Sequence, residues 1–455
     1  MLTCPTDLPD QALARYVDSF LQRAPWLRRR VETVAFIDVD TVVRRTTLDV
    51  GTSEVELASN GCPIFPDRPL VPLAMLKKDL LVDFDLRDRQ GGALAVVPRD
   101  VDSFFAWSTL CVEAERVLGT EVLVASAPVA TRLRELAFNF PHPGDEPYDA
   151  ALRSWETPPG WTDPDRSVWR ALLEDEPFVR LLRDFTFNFI LMTQLETGSA
   201  IQLVKFSYQQ HLPYSGLLLL ERLGVRATEL DIVAPAVGWA RSYHLRIEAP
   251  QDLTLTDVAL FRIQREHVST PVPAESYEAR IGAESAQVYT TSSIEPADHV
   301  VAVTMRVPVV GYLRAVWLTS VATAVILVTG RCFIGRVETA MQQRADAAVA
   351  LLLVAPSLLA AYLVRPGEHA IASRLLRPIR YAVALTGCLS YLVAALLVLG
   401  WRGSTLQMAW TVIASVALVI AIALTVVVCL TQKDLTEAAT LATETDRRTI
   451  VVLDV

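Results

Sequence analysis

Two hydrophobic periods alternate over the first 310 residues and then give way to long apolar runs. Residues 41–50, "TVVRRTTLDV", are β-branched with mixed alternation. In "LVDFDLRDRQGGALAVV", Val82, Phe84 and Leu86 take one side and Asp83, Asp85 and Arg87 the other. Gln90, Gly91 and Gly92 supply a turn, so the spacing predicts a hairpin. From Asp100 the period becomes helical through Phe104, Phe105, Leu110, Val112, Val117 and Leu118. A second helix is predicted over about 128–138 with proline in its first turn, and a third over 167–183. Between them, residues 140–164 are proline-rich and read as a surface loop. Strand patterns return near Ile201 and recur to "HVVAVTMRVPVV", with "HLRIEAPQDLTL" as a candidate hairpin, which is the spacing of an antiparallel sandwich. At the N-terminal end, Leu13, Val17, Phe20 and Leu21 share one side of a short amphipathic helix.

Four apolar stretches follow, at about 312–330, 347–364, 381–401 and 406–430. Each is long enough for a bilayer core, which needs ~20 residues of helix. Tyr312, Trp317, Tyr362, Tyr381 and Trp401 fall near their ends, as an aromatic belt does. Polar positions inside them are hydroxyls, thiols or amides, with no ionisable group at the centres. Pro356 sits in the middle of the second and predicts a kink. With four spans, the front region, the loop 365–380 and the tail share one side. That side carries Arg306, Arg314, Arg365, Arg374, Arg377, Arg380, Lys433, Arg447 and Arg448, against Arg331, Arg336, Arg344 and Arg402 on the other. The excess places the front region and tail in the cytoplasm. The opening "MLTCPTDLPDQALARYVDSF" lacks a basic segment followed by an apolar core, so it does not read as a secretory signal.

Composition sharpens this division. Hydrophobic residues make up 52% of the 455-residue chain, and the mean hydropathy is +0.32. The first 310 residues carry 30 Lys+Arg and 43 Asp+Glu, a net of −13, while the rest carries 12 and 8. So acidic a front region argues against nucleic acid as a partner. Six cysteines without a CxxC pair predict neither a disulfide framework nor a zinc site. Histidines 211, 244, 267 and 299 have no ligand-like spacing. "WLRRRV" groups Arg28, Arg29 and Arg30, either as a contact for anionic headgroups or as a solvated edge. Ser215 lacks the GxSxG elbow.

One short motif carries chemistry. "VAFIDVDTVV", residues 34–43, resembles the first motif of haloacid dehalogenase-like phosphatases. The resemblance implies Asp38 as nucleophile, Asp40 as acid/base and magnesium as cofactor. It covers ten residues and departs from the family pattern, because no glycine follows the second Asp and "VRRTTLDV" continues as a strand. Read from the residues alone, Asp38 and Asp40 share the solvent face of a strand, as Asp83 and Asp85 do. No catalytic, cofactor-binding or metal-binding residue is therefore assigned.

These readings give an α+β membrane protein. An N-terminal amphipathic helix (1–26), a β-rich region (27–98), a helical insertion with a proline-rich loop (99–198) and a second, sandwich-like β-rich region (199–310) precede a four-helix transmembrane bundle (311–432) and a cytoplasmic tail (433–455). The expected function is a non-enzymatic multi-pass protein whose cytosolic domain binds a protein or small ligand. The alternatives are an effector that oligomerises and permeabilises the bilayer, and a membrane-anchored hydrolase using Asp38. The terminal run 449–455, β-prone and apolar, is predicted to add as a strand to an edge of the front domain.

Overall fold

The computed structural model describes residues 11–38, 40–58, 69–78, 81–138, 160–196, 200–212, 228–234, 236–250, 253–263, 269–272, 277–282, 284–291, 299–308, 312–336 and 369–452. An N-terminal β-rich domain with helices leads into three helices long and apolar enough to cross a membrane. The second expected span with Pro356, most of the proline-rich loop, Ser215 and residues 453–455 lie outside the described residues.

The largest sheet has seven strands. They are β1 (Leu27–Phe36), β2 (Thr41–Gly51), β4 (Val82–Arg87), β6 (Ile201–His211), β8 (Ser242–Glu248), β11 (Tyr277–Ile281) and β12 (Ser285–Thr291), in the order β11-β12-β8-β1-β2-β6-β4. Strands from both β-rich stretches of the sequence thus alternate in one sheet. A four-stranded sheet is ordered β10 (Ser269–Pro271), β9 (Thr254–Ile263), β13 (His299–Arg306), β7 (Thr228–Val233). A third pairs β3 (Leu70–Lys77) with β5 (Asn188–Gln194).

Alternation puts Arg30, Glu32 and Val34 of β1, and Val42, Arg44, Thr46, Leu48 and Val50 of β2, on one buried face. That face serves two cores. At one end Leu27, Leu48, Val50, Val204 and Phe206 meet α1 (Gln11–Arg23), the β3/β5 pair and a helical layer of α3 (Arg99–Leu118), α5 (Ala127–Phe138), α6 (Asp163–Glu174) and α7 (Glu176–Phe187). At the other end Val34, Val42, Tyr243, Leu245 and Ile247 share a core with Ile232, Leu260, Val301 and Val303 of the four-stranded sheet. Short helices α2 (Thr52–Ala58) and α4 (Thr120–Ala125) complete the layer.

Local chemistry explains the helix boundaries. The single helix expected over 167–183 is two. Thr162 caps α6 by accepting from Asp165 N, and Asp175 caps α7 by accepting from Phe178 N at 2.9 Å, each with proline in the first turn. Helix α3 stops at Gly119, whose φ of +84° suits glycine best. The amphipathic helix α1 buries Tyr16, Val17 and Phe20 in the first core, beside Trp26.

Two expected hairpins come out differently. After β4 the chain turns at Asp88–Gly92, but its return arm bonds only briefly before Val96 and Val97 turn to β5. Strands β8 and β9 sit in different sheets, so "HLRIEAPQDLTL" crosses between layers. Alternation reports which residues share a face, and it is blind to which sheet a strand joins.

The candidate spans are α8 (Arg314–Cys332), the Leu375–Val398 part of α9 (Ala370–Val398) and the Gly403–Lys433 part of α10 (Gly403–Val452). Helix α9 begins well before the expected 381, inside what the sequence read as a loop, and takes Arg377, Pro378 and Arg380 into its first turns. Helix α10 continues through Val452, so residues 449–452 are helical and the expected added strand is not formed. Hydrogen bonds within one helix satisfy that backbone without an edge partner. Helix α10 nevertheless lies alongside β9 and the edge strand β11.

Spans α8 and α10 approach closely at Gly330, where a Cβ would stand 2.6 Å from Cζ2 of Trp410. Trp410 Nε1 donates to Leu327 O at 2.8 Å, and Trp317 Nε1 to Thr425 Oγ1 at 2.9 Å. Gly330→Ala must therefore push the helices apart. A loss of ~1–3 kcal/mol is expected, seen as a lower melting temperature of the full chain in detergent, whereas Gly335→Ala, with open space around it, should leave the melt unchanged.

Candidate functional site

Three of the residues on the shared sheet face are charged, and they sit between the two cores. Glu32 is 0% exposed, Arg44 1% and Arg30 3%. Arg30 places Nε and Nη2 on Glu32 Oε1, both at 2.6 Å. Glu32 Oε2 accepts from Arg44 Nη1 at 2.8 Å and from Tyr243 Oη at 3.0 Å. Two of the remaining donors reach other layers. Arg44 Nη2 donates to Val233 O of β7 at 2.6 Å, and Arg30 Nη1 points to Leu73 O of β3 at 3.5 Å, with its guanidinium 5.9 Å from the Phe206 ring. One carboxylate thus links the seven-stranded sheet to both smaller ones.

Burial alone would push the Glu32 carboxyl up, but Arg30 and Arg44 outweigh it and hold the carboxyl below the ordinary range. Burial likewise works against the Arg44 cation, and Glu32 reverses it. Burial, with Glu32 beside it, drives the Tyr243 phenol well above its ordinary value, so it stays a hydrogen-bond donor. No substrate reaches groups this enclosed, and the cluster acts as a fastening.

A second buried pair lies in the helical layer. Lys78 donates from Nζ to Ala137 O at 2.8 Å, at the end of α5, and Asp102 accepts from Ile190 N at 2.8 Å. Burial brings Lys78 down to about 8 and pushes Asp102 up to about 7.

The third arrangement is where α9 leaves the domain. His369 Nδ1 accepts from Ile371 N at 3.3 Å as the cap of α9, so Nε2 carries the proton and donates to Phe36 O of β1 at 3.1 Å. Ile371, Ala372 and Leu375 are buried in the core shared by the two sheets. One turn further, Leu376, Ile379 and Val383 pack with Tyr312, Leu313 and Val316 of α8 and with Leu424, Val427 and Val428 of α10. Val307, just after β13, packs against both clusters.

The expected chemical residues are placed elsewhere. Asp38 and Asp40 are exposed in the turn of the β1–β2 hairpin, which Ile37 N and Asp38 N close by donating to Thr41 O. They are not on a strand face, and the chain returns antiparallel where the phosphatase motif needs a turn and a helix. Asp83 accepts from Gln209 Nε2 and Asp85 pairs with Arg87 at 2.6 Å. Among the described residues no group of three or more His, Cys, Asp or Glu could hold a metal ion. The arginines of "WLRRRV" touch carboxylates: Arg28 meets Glu54 at 2.8 Å, Arg29 meets Asp49 at 2.8 Å, and Arg30 is in the buried cluster. A surface depression of about 290 Å³, lined by Glu121, Val122, Ser126, Pro164, Asp165 and Val168, lies below the usual size of a ligand site.

Parity was the missed signal for the cluster, because Arg30, Glu32 and Arg44 occupy the same alternating positions as Val34, Val42 and Leu48. No protein-family model matches the chain, and no curated protein matches it.

Glu32→Gln should destabilise the protein by about 3–5 kcal/mol, because it leaves two buried cations without their counter-charge. Adding Arg44→Met should recover part of that loss, and urea melts of both variants in detergent check the pair. Asp102 gives a pH signature. Between its ordinary 3.8 and about 7, the unfolded chain releases a proton that the folded protein keeps, so stability falls as pH rises. Between about 8 and 10.5, the unfolded chain holds the Lys78 proton that the folded one has lost, so stability rises again. Asp102→Asn should flatten the acid arm between pH 5 and 7, a change of a few kcal/mol at ~1.4 kcal/mol per pH unit.

Proposed function

We propose that this is a multi-pass membrane protein in which a cytosolic β-rich domain, non-enzymatic, regulates or reads out the state of a helix bundle to which it is rigidly joined. The observation that carries the reading is the burial of Ile371, Ala372 and Leu375, the first turns of a membrane helix, inside the core of the domain itself. A domain that merely hung from an anchor would meet it through solvated linker. Here any repacking between the two sheets changes the seat of α9, and through Val307 the start of α8 as well. The shared core of the two sheets supports the sandwich reading of that domain.

The fourth span belongs to this proposal. Helix α8 starts at the domain and ends at Cys332 on the far side, while α9 starts at the domain again. The chain between 336 and 369 must come back, and residues 347–364 are its apolar stretch of sufficient length. The excess of Lys and Arg on the domain side supports a cytoplasmic domain and tail. The bilayer is the first partner, and a protein or small ligand of the domain the second. The permeabilising effector and the Asp38 hydrolase have no specific observation in their favour.

Two tests follow. Reporter fusions after Val455 should be active in the cytoplasm and one inserted near Thr339 outside; the reverse pattern overturns the orientation. For coupling, Ala372→Asp should speed amide exchange in β13 and β1 by tenfold or more in the reconstituted protein, although the change is in a helix. Acceleration confined to α9 would leave a tether without transmission.

A further inference from the structure

The apolar parts of α8, α9 and α10 carry cations and no anions. Neither residues 307–336 nor residues 369–433 include an Asp or Glu. On the domain side, Arg314 of α8 and Arg377 of α9 are exposed, and Arg380 is half-buried. The apolar part of α9 begins at Leu375 and runs 24 residues. At 1.5 Å per residue that is ~36 Å, against a hydrocarbon thickness of ~30 Å. Arg377 and Arg380 lie within ~8 Å of its start, which is the depth of lipid phosphates.

The two side chains are also positioned. Arg377 Nε donates to Tyr381 Oη at 2.9 Å, and its guanidinium stacks 5.7 Å from the Tyr381 ring. This pose commits Nε and leaves the Nη edge without a carboxylate among the described residues. That edge is the one that forks onto phosphate oxygens. Three residues on, Arg380 shares the helix face and lies close enough to Tyr312, at the start of α8, to interact with it electrostatically. Below the cations the exposed surface turns apolar on both helices, with Leu385 48% exposed after Tyr381 and Leu318 50% exposed after Arg314. A paired cation site at headgroup depth, continued by a greasy track, fits a molecule with an anionic phosphate and an acyl chain.

We infer that Arg377, held by Tyr381, and Arg380, beside Tyr312, form a binding site for the phosphate of an anionic membrane lipid on the domain side of the bundle. The inference rests on the helices crossing a bilayer and is independent of which compartment the domain faces. An occupied site would lie one to two turns from Ala372 and Leu375, whose side chains are in the domain core. Lipid charge would thereby reach the seat of the domain.

The test uses the full chain reconstituted in phosphatidylcholine nanodiscs with and without a minor fraction of phosphatidylglycerol, with retained lipid counted by native mass spectrometry. Insertion is checked first by flotation and resistance to carbonate; failure there refutes the membrane reading itself. With insertion shown, wild type should retain phosphatidylglycerol over phosphatidylcholine. The double change Arg377→Gln with Arg380→Gln should reduce that preference at least fivefold at an unchanged tryptophan melt, and the double change to Lys should reduce it less. Arg331→Gln with Arg402→Gln, on the far side, should keep it. Equal loss in the far-side variant, or none in Arg377→Gln with Arg380→Gln, would reduce the effect to bulk charge and overturn the site. Displacement by millimolar glycerol phosphate would assign the site to a soluble phosphate and overturn the lipid.

Discussion

The burial of one carboxylate between two arginines is the constraint on which the architecture turns. Glu32 stands on the central strand pair at the point where one core ends and the other begins. A charged group there is expensive to bury and gains stability only from complete pairing. The pairing is what draws three sheets together, because the leftover donors of Arg30 and Arg44 end on carbonyls of β3 and β7. An apolar core would accept many registers between these layers, whereas two guanidiniums with fixed forks accept few.

From that fastening the chain of contacts runs to the apolar helices without a break. Val34 and Val42, the next inward positions on β1 and β2, belong to the core that also holds Ile371, Ala372 and Leu375. Leu376 and Ile379, on the next turn, belong to the core of the bundle. The bundle is closed by small groups and hydroxyls rather than charges. Thr323, Ser390 and Thr386 are buried in it, and Thr386 and Ser390 return their hydrogen bonds to carbonyls four residues earlier. Among the described residues the centre of the bundle holds no Asp, Glu, Lys, Arg or His.

Much of this was readable from residues alone. Period and length identified apolar helices at about 312–330 and 406–430, the helix from Asp100 and most strands, within a few residues of where they lie, since these depend on local pattern. The start of α9 was not readable, because Arg377 and Pro378 look like loop chemistry until Leu376 and Ile379 beside them pack against α8 and α10. The tail was misread for the opposite reason. Ile450, Val451 and Val452 favour strands on propensity, but they are the last residues of a helix fifty residues long.

What the sequence by itself determined is the division of the chain: an acidic, alternating front and a cationic, apolar back, each legible because burial and charge act on neighbouring residues. The tertiary structure decided which strands share a sheet, that the two β-rich stretches interleave, and that Arg30, Glu32 and Arg44 converge. Strand pairing joins residues more than two hundred positions apart, as Arg29 of β1 and Ser242 of β8. Alternation tells such residues only which way to face. Asp38 and Asp40 make the same point in reverse, since a run of letters resembling a nucleophile motif becomes an ordinary exposed turn once β2 folds back on β1.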